Sequence, residues 1–121
     1  MRKILVATIL VTATVLAAGS VRAQESAGNP EAGKRLYMNK GCYQCHGTMG
    51  QGTIAGARIG PPPLSAEGMI RYVRRPAGQM PAFTEKVMSD RELTDVYAFL
   101  KTIPPPKPSK DVPLLNDLRG K

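Results

Sequence analysis

Cys42-Tyr43-Gln44-Cys45-His46 is the stretch that decides the fold of this chain. It holds both cysteines and the only histidine of the 121 residues. A Cys-x-x-Cys-His string is typical of a covalent attachment site for c-type haem. The two intervening residues let both sulfurs reach one edge of a porphyrin, and His46 follows as an iron ligand whose second ring nitrogen needs an acceptor. The stretch therefore predicts one haem c, attached through Cys42 and Cys45 and ligated by His46.

Two other chemistries use the same residue types. In an exported protein, two cysteines can pair as a disulfide or act as a dithiol redox site. A structural zinc site needs four protein ligands, and this chain has one histidine and no third cysteine to offer. Zinc would therefore have to recruit carboxylates. Haem attachment is the interpretation that we follow, with the disulfide, the dithiol and zinc as alternatives.

The N-terminal segment has the three-part layout of a cleaved secretory signal. A basic start over residues 2–3 precedes an apolar run over residues 4–18, and small residues stand two apart at Val21 and Ala23. The apolar run is shorter than the ~20 residues needed to cross a bilayer. We therefore expect residues 1–23 to be removed as a signal peptide, leaving a soluble periplasmic protein without stable membrane insertion.

The remaining chain is expected to form one domain with a short lead and a tail. Signal removal takes three of the 17 basic residues and none of the 9 acidic ones, so the net charge falls from +8 to +5. This balance favours solubility and steering toward acidic surfaces. The sequence has no basic run interleaved with aromatic residues, so it gives no sign of nucleic-acid binding. We assign residues 24–28 to a flexible lead, 29–106 to the domain and 107–121 to a proline-containing tail.

Capping signals predict an all-α fold of three to four helices wrapped around the haem. Asn29 offers a cap oxygen to a first helix over residues 30–40, which Gly41 ends. Ser65 caps a second helix that runs to about residue 74. These helices flank the glycine-rich residues 47–60, which are expected to form a loop over one haem edge.

The last helix has the clearest pattern. Ser89 and Glu92 form a capping box, and three prolines from Pro104 onward end the helix. The tail beyond it contains several leucines, so we expect it to fold back onto the domain. The apolar residues of the helix repeat at helical spacing and predict its buried face: Leu93, Val96, Leu100 and Ile103.

Met80 is the predicted second axial ligand of the iron. Prolines and a glycine exclude a regular helix over residues 76–81, so Met80 projects from an extended loop. A thioether is a soft, neutral donor that suits haem iron. Met88, just before the last helix, is the strongest rival. The other methionines of the domain are less suitable by position: Met38, Met49 and Met69.

Over residues 29–103 the chain resembles a small bacterial class I cytochrome c. The resemblance implies that the first and last helices cross closely at Gly33, with Tyr37 and Phe99 packing there. It also implies that a proline carbonyl orients His46, and we select Pro62 over Pro61. Four features carry it: Gly33 with Tyr37, the Cys-x-x-Cys-His string, the Gly-Pro…Leu stretch at 60–64, and Met80-Pro81 before a helix containing Tyr97-Ala98-Phe99-Leu100.

The expected function follows from the two ligands. With His46 and Met80 on the iron, no substrate can bind the metal, so the protein is expected to be a one-electron carrier between redox partners with acidic docking surfaces, and not an enzyme. One alternative is the dedicated cytochrome subunit of a periplasmic dehydrogenase. Another is a five-coordinate haem sensor or peroxidase, which the lack of a second histidine disfavours. A basic face on the second helix is either solvated or a docking patch: Arg71, Arg74 and Arg75.

Overall fold

A computed structural model of the chain describes residues 27–119. The segment predicted as a signal peptide therefore lies outside the described residues. The described residues are helical and contain no strand, which confirms the all-α prediction for this part of the chain. Its elements are α1 (Pro30–Asn39), α2 (Cys42–His46), α3 (Ala66–Arg74), α4 (Asp90–Lys101), a 3-10 turn (Ser109–Asp111) and α5 (Pro113–Arg119).

The predicted caps of the helices are confirmed. The Asn29 side chain accepts hydrogen bonds of 3.0 Å from the N–H groups of Glu31 and Ala32 at the start of α1. Ser65 accepts one from Gly68 N–H at 3.1 Å and so begins α3. These bonds satisfy donors that have no partner within the helix. α1 and α3 therefore begin where their sequence signals lie.

α1 and α4 cross at a very short distance. A Cβ atom at Gly33 would overlap the backbone carbonyl of Asp95 on α4, so only glycine fits this position. One turn further along α1, the rings of Tyr37 and Phe99 meet with their centroids 5.4 Å apart and their planes tilted by 57°. Asp95 also accepts a 2.7 Å hydrogen bond from Asn29 N–H, which ties the start of α1 to the middle of α4. The crossing implied by the resemblance is confirmed.

Within residues 27–119, one core lies between α4 and the elements around it. The capping box of α4 is present, with Ser89 N–H donating to Glu92 at 2.7 Å. This bond is the main reason that the pKa of Glu92 is lowered. The predicted apolar face of α4 is buried. The core consists of Tyr37, Val73, Met88, Leu93, Val96, Phe99, Leu100 and Ile103.

The C-terminal tail does not fold back onto the domain, so that expectation is wrong for its described part. α5 contacts the 3-10 turn before it and none of α1 to α4. Its leucine side chains are exposed, with Leu114 70% and Leu118 63% accessible. The reason is the run of prolines after α4, which keeps the chain extended and carries it away from the core. Among the described residues, none of the helices is long and apolar enough to cross a membrane.

Candidate haem site

The Cys-x-x-Cys-His string forms a helix of its own, α2. Gly41 precedes it with a φ of 80°, and Gly47 follows it with a φ of 75°. Both values lie in the left-handed region that glycine adopts without strain, so the two glycines turn the chain sharply at each end. Cys42 and Cys45 are three residues apart and lie on the same side of this turn. The local backbone therefore presents both sulfurs together.

The two thiols differ in their surroundings. Both are free; Cys42 is half-buried against the core, and Cys45 is exposed. Burial raises the pKa of the Cys42 thiol, because desolvation disfavours the thiolate. The attacking thiol of a redox dithiol site usually has a lowered pKa, so this shift gives the dithiol alternative no support. No cluster of three or more metal-binding side chains occurs in residues 27–119, so these residues give the zinc alternative no support.

The imidazole of His46 is oriented by a backbone carbonyl. Its Nδ1 atom lies 2.7 Å from the carbonyl oxygen of Ala57. With Nδ1 donating to that oxygen, Nε2 is left as the nitrogen that can bind iron. The acceptor in the structure is Ala57, so the selection of Pro62 as the residue that orients His46 is corrected. The kind of interaction was predicted, but its partner was not.

The reason for this correction lies in the path of the glycine-rich loop. Gly52 N–H donates to the carbonyl of His46 at 2.8 Å, and the Thr53 hydroxyl donates to the carbonyl of Cys45 at 2.6 Å. Gly56 then lies so close to Cys45 that a Cβ atom would stand 2.8 Å from its carbonyl oxygen. The loop is therefore packed against α2 by the time that it reaches Ala57, before the prolines begin.

Tyr37 fastens α1 to the end of the attachment helix. Its buried hydroxyl donates a 2.7 Å hydrogen bond to the carbonyl of Gly47, the residue after His46. Desolvation by burial, with a smaller contribution from the nearby Cys42, raises the pKa of Tyr37 from 10 to about 12. The sequence indicated a packing role for the ring, but it carried no signal for this bond.

Replacing Tyr37 with phenylalanine is expected to destabilise the protein by about 1–2 kcal/mol at pH 7, because the buried Gly47 carbonyl loses its donor. In the native protein this contribution is complete below pH 10 and is lost as the pH rises toward 12, since the folded pKa is raised. The difference in free energy of unfolding between wild type and Tyr37→Phe should therefore become smaller in alkali. Denaturant unfolding at pH 7 and pH 11 measures it. The exposed Tyr72→Phe variant is the control, and an equal effect there would contradict the prediction.

Met80 lies in the loop between α3 and α4. Its side chain is half-buried and packs against the same core as Cys42. Gly78, with a φ of 69°, turns the chain just before it. The rival Met88 is a fully packed core residue with 2% exposure, whereas Met49 is 45% exposed. Of these three methionines, Met80 therefore has the surroundings that best suit an axial ligand of the iron. Its ligation of iron stays a prediction.

Arg74 on α3 has partners that the sequence did not reveal. Its guanidinium donates to the carbonyl of Phe83 at 2.7 Å and to the carboxylate of Asp90 at 2.5 Å. It is therefore not part of a freely solvated basic face. Arg71 and Arg75, the other members of the predicted face, are exposed. The spacing predicted which arginines are neighbours, whereas the tertiary contacts decide which one is engaged.

The donor set of α2 fits a covalently attached haem. It provides two free thiols on one side of a helical turn and an imidazole whose Nδ1 is engaged. Cys42, Cys45 and His46 would hold the group, and Met80 borders the same core. A helical domain with this attachment helix belongs to the class of small c-type cytochromes.

A comparison with protein-family profiles agrees with this class. The family described as cytochrome C oxidase, cbb3-type, subunit III matches residues 28–100. The chain belongs to this family, and its cofactor is covalently bound haem c. No curated protein and no solved structure gave a match.

Proposed function

We propose that this protein transfers single electrons between redox partners in the periplasm, with His46 and Met80 as the axial ligands of its haem iron. The haem supplies the ferric/ferrous couple when bound. The observation that carries the proposal is the orientation of His46, whose Nδ1 is held by Ala57 so that Nε2 is available for iron. The family membership supports electron transfer rather than catalysis.

The exposure of the attachment site supports a role in transfer. Cys45 is exposed while Cys42 adjoins the core, so the attachment site spans the boundary between core and solvent. An electron carrier needs this arrangement, because a partner must approach the cofactor while the rest of the site stays dry. Tyr37 and Ala57 supply the rigid support, through bonds of 2.7 Å each to the end of α2.

The charge distribution supports a partner with an acidic surface. Residues 32–84, which include α2 and Met80, contain seven arginines or lysines and a single acidic residue, Glu67. The acidic side chains of α4 are largely engaged: Asp90 with Arg74, Glu92 with its own cap, and Asp95 with Asn29 N–H. Long-range attraction would raise the association rate with an acidic partner, and salt would lower it.

Spectra and a redox titration of the haem-loaded protein test the proposal. We expect a single reversible one-electron transition and a ferric absorption band from a thioether–iron bond. The five-coordinate alternative predicts rapid binding of carbon monoxide by the reduced protein at neutral pH. Rapid binding together with a missing thioether band would overturn the proposed ligation. Mass spectrometry of the exported protein tests cleavage after Ala23, and cell fractionation tests the periplasmic location.

A second candidate function is a fixed subunit of a larger redox complex. The family description names an oxidase subunit, and the exposed leucines of α5 offer an apolar contact surface. A permanent subunit needs a larger and more apolar interface than a transient carrier. Gel filtration of an extract from the native source distinguishes the two, because a fixed subunit of an oxidase or a dehydrogenase elutes with the complex and a carrier elutes alone.

A further inference from the structure

We propose that Arg74, held by Asp90, is a positioning residue that fixes the loop carrying Met80. The inference rests on the proposed function, because it assumes that Met80 binds the iron. It adds a residue outside the attachment string and outside the loop itself. We call the arrangement of Arg74, Asp90 and the Phe83 backbone the Arg74 clamp.

Phe83 is the point at which the loop is anchored to α3. Its N–H group donates to the carbonyl of Val73 at 3.1 Å, and its carbonyl accepts from Arg74 Nη1 at 2.7 Å. Two successive residues of α3, Val73 and Arg74, therefore bind the N–H and the carbonyl of Phe83. Phe83 lies three residues after Met80, and its side chain packs against the core. A restraint at Phe83 thus acts directly on the segment that carries Met80.

The guanidinium is itself held in place. Arg74 Nη2 donates to Asp90 Oδ1 at 2.5 Å, and the Arg74 side chain is only 21% exposed. Asp90 is the first residue of α4, where the helix dipole favours a negative charge. A planar guanidinium can donate to two acceptors at once in a defined geometry, which an ammonium group cannot match. One side chain therefore connects α3, the loop and α4.

The loop has little else to restrain it before Phe83. In the described structure, no hydrogen bond joins residues 76–82 to another segment. A thioether is a weak ligand, so it competes with other donors only when its loop is already ordered. Losing the clamp should free the loop and lower the share of molecules in which Met80 occupies its position.

Competition with imidazole measures this effect. We expect the ferric Arg74→Gln protein to bind added imidazole about tenfold more tightly than wild type, with a weaker thioether band. Tenfold corresponds to about 1.4 kcal/mol. The imidazole affinity of Arg74→Lys, which keeps the charge but not the two-acceptor geometry, should lie between those of wild type and Arg74→Gln. Arg71→Gln is the matched control, because Arg71 is exposed on the same helix and should leave the affinity unchanged.

Amide hydrogen exchange gives a second readout that does not depend on ligand binding. In the haem-loaded protein, the Phe83 N–H should exchange faster in Arg74→Gln than in wild type, while amides of the α1–α4 crossing keep their rates. If Arg74→Gln fails to fold, Asp90→Asn and Arg74→Lys provide the same comparison with milder changes. General destabilisation would instead speed exchange throughout the core.

The outcomes separate this inference from the proposed function. A wild-type protein without a thioether band would overturn the ligation and the clamp with it. If wild type shows the band, Met80→Ala loses it, and the Arg74 and Asp90 variants bind imidazole as wild type does, the clamp alone is overturned. Equal effects in Arg74→Gln and Arg71→Gln would also overturn it, because they would reflect charge rather than position.

Discussion

Replacing both Cys42 and Cys45 with alanine is expected to give a colourless protein that lacks most of its native helicity. Without the thiols, no thioether bonds to haem can form. A covalently held group that is bound only by the native state stabilises that state, and a domain of this size buries too little surface to replace it easily. Because Cys42 adjoins the core, we expect the loss of the attached haem to disturb the core directly.

The measurement combines mass spectrometry, haem staining and far-ultraviolet circular dichroism after expression with c-type maturation. Tyr43→Phe is the matched control, because Tyr43 lies within the same helix, is exposed and carries no attachment chemistry. It should retain the haem mass and the full spectrum. A double variant with native helicity and a cooperative thermal transition would show that the fold does not depend on the cofactor.

Replacing Met80 with alanine is expected to lower the midpoint potential by well over about 100 mV and to abolish the thioether–iron band. Neutral sulfur ligation in a dry pocket favours ferrous iron, and a weaker or wetter ligand removes that preference. In a one-electron couple 59 mV corresponds to about 1.4 kcal/mol, so the change lies far outside the error of a redox titration.

Two other methionines provide the controls for this result. Met49→Ala removes a thioether from an exposed position, and Met88→Leu replaces the buried rival with a side chain of similar volume. Both should leave the potential and the band close to wild type. An unchanged potential in Met80→Ala, combined with a lost band in Met88→Leu, would assign the ligand to Met88.

The sequence predicted those features that depend on neighbours along the chain. The caps at Asn29, Ser65 and Ser89 were found because each side chain bonds to an N–H within three residues. The apolar repeat of α4 marked its buried face for the same reason, since helical periodicity is local. The close approach at Gly33 was implied by resemblance, and the overlap that a Cβ would make with α4 explains it.

By itself, then, the sequence determined the attachment chemistry and the all-α class of its described part, because spacing, caps and periodicity act over a few residues. Only the tertiary structure decided that Ala57 orients His46, that Arg74 engages Phe83 and Asp90, and that α5 lies away from the domain. The hydrogen bonds of Ala57 and Arg74 join residues that are 9 to 16 positions apart. The position of α5 depends on a tail that leaves the core. They depend on how loops rich in glycine and proline run through space, and short-range patterns do not encode that path.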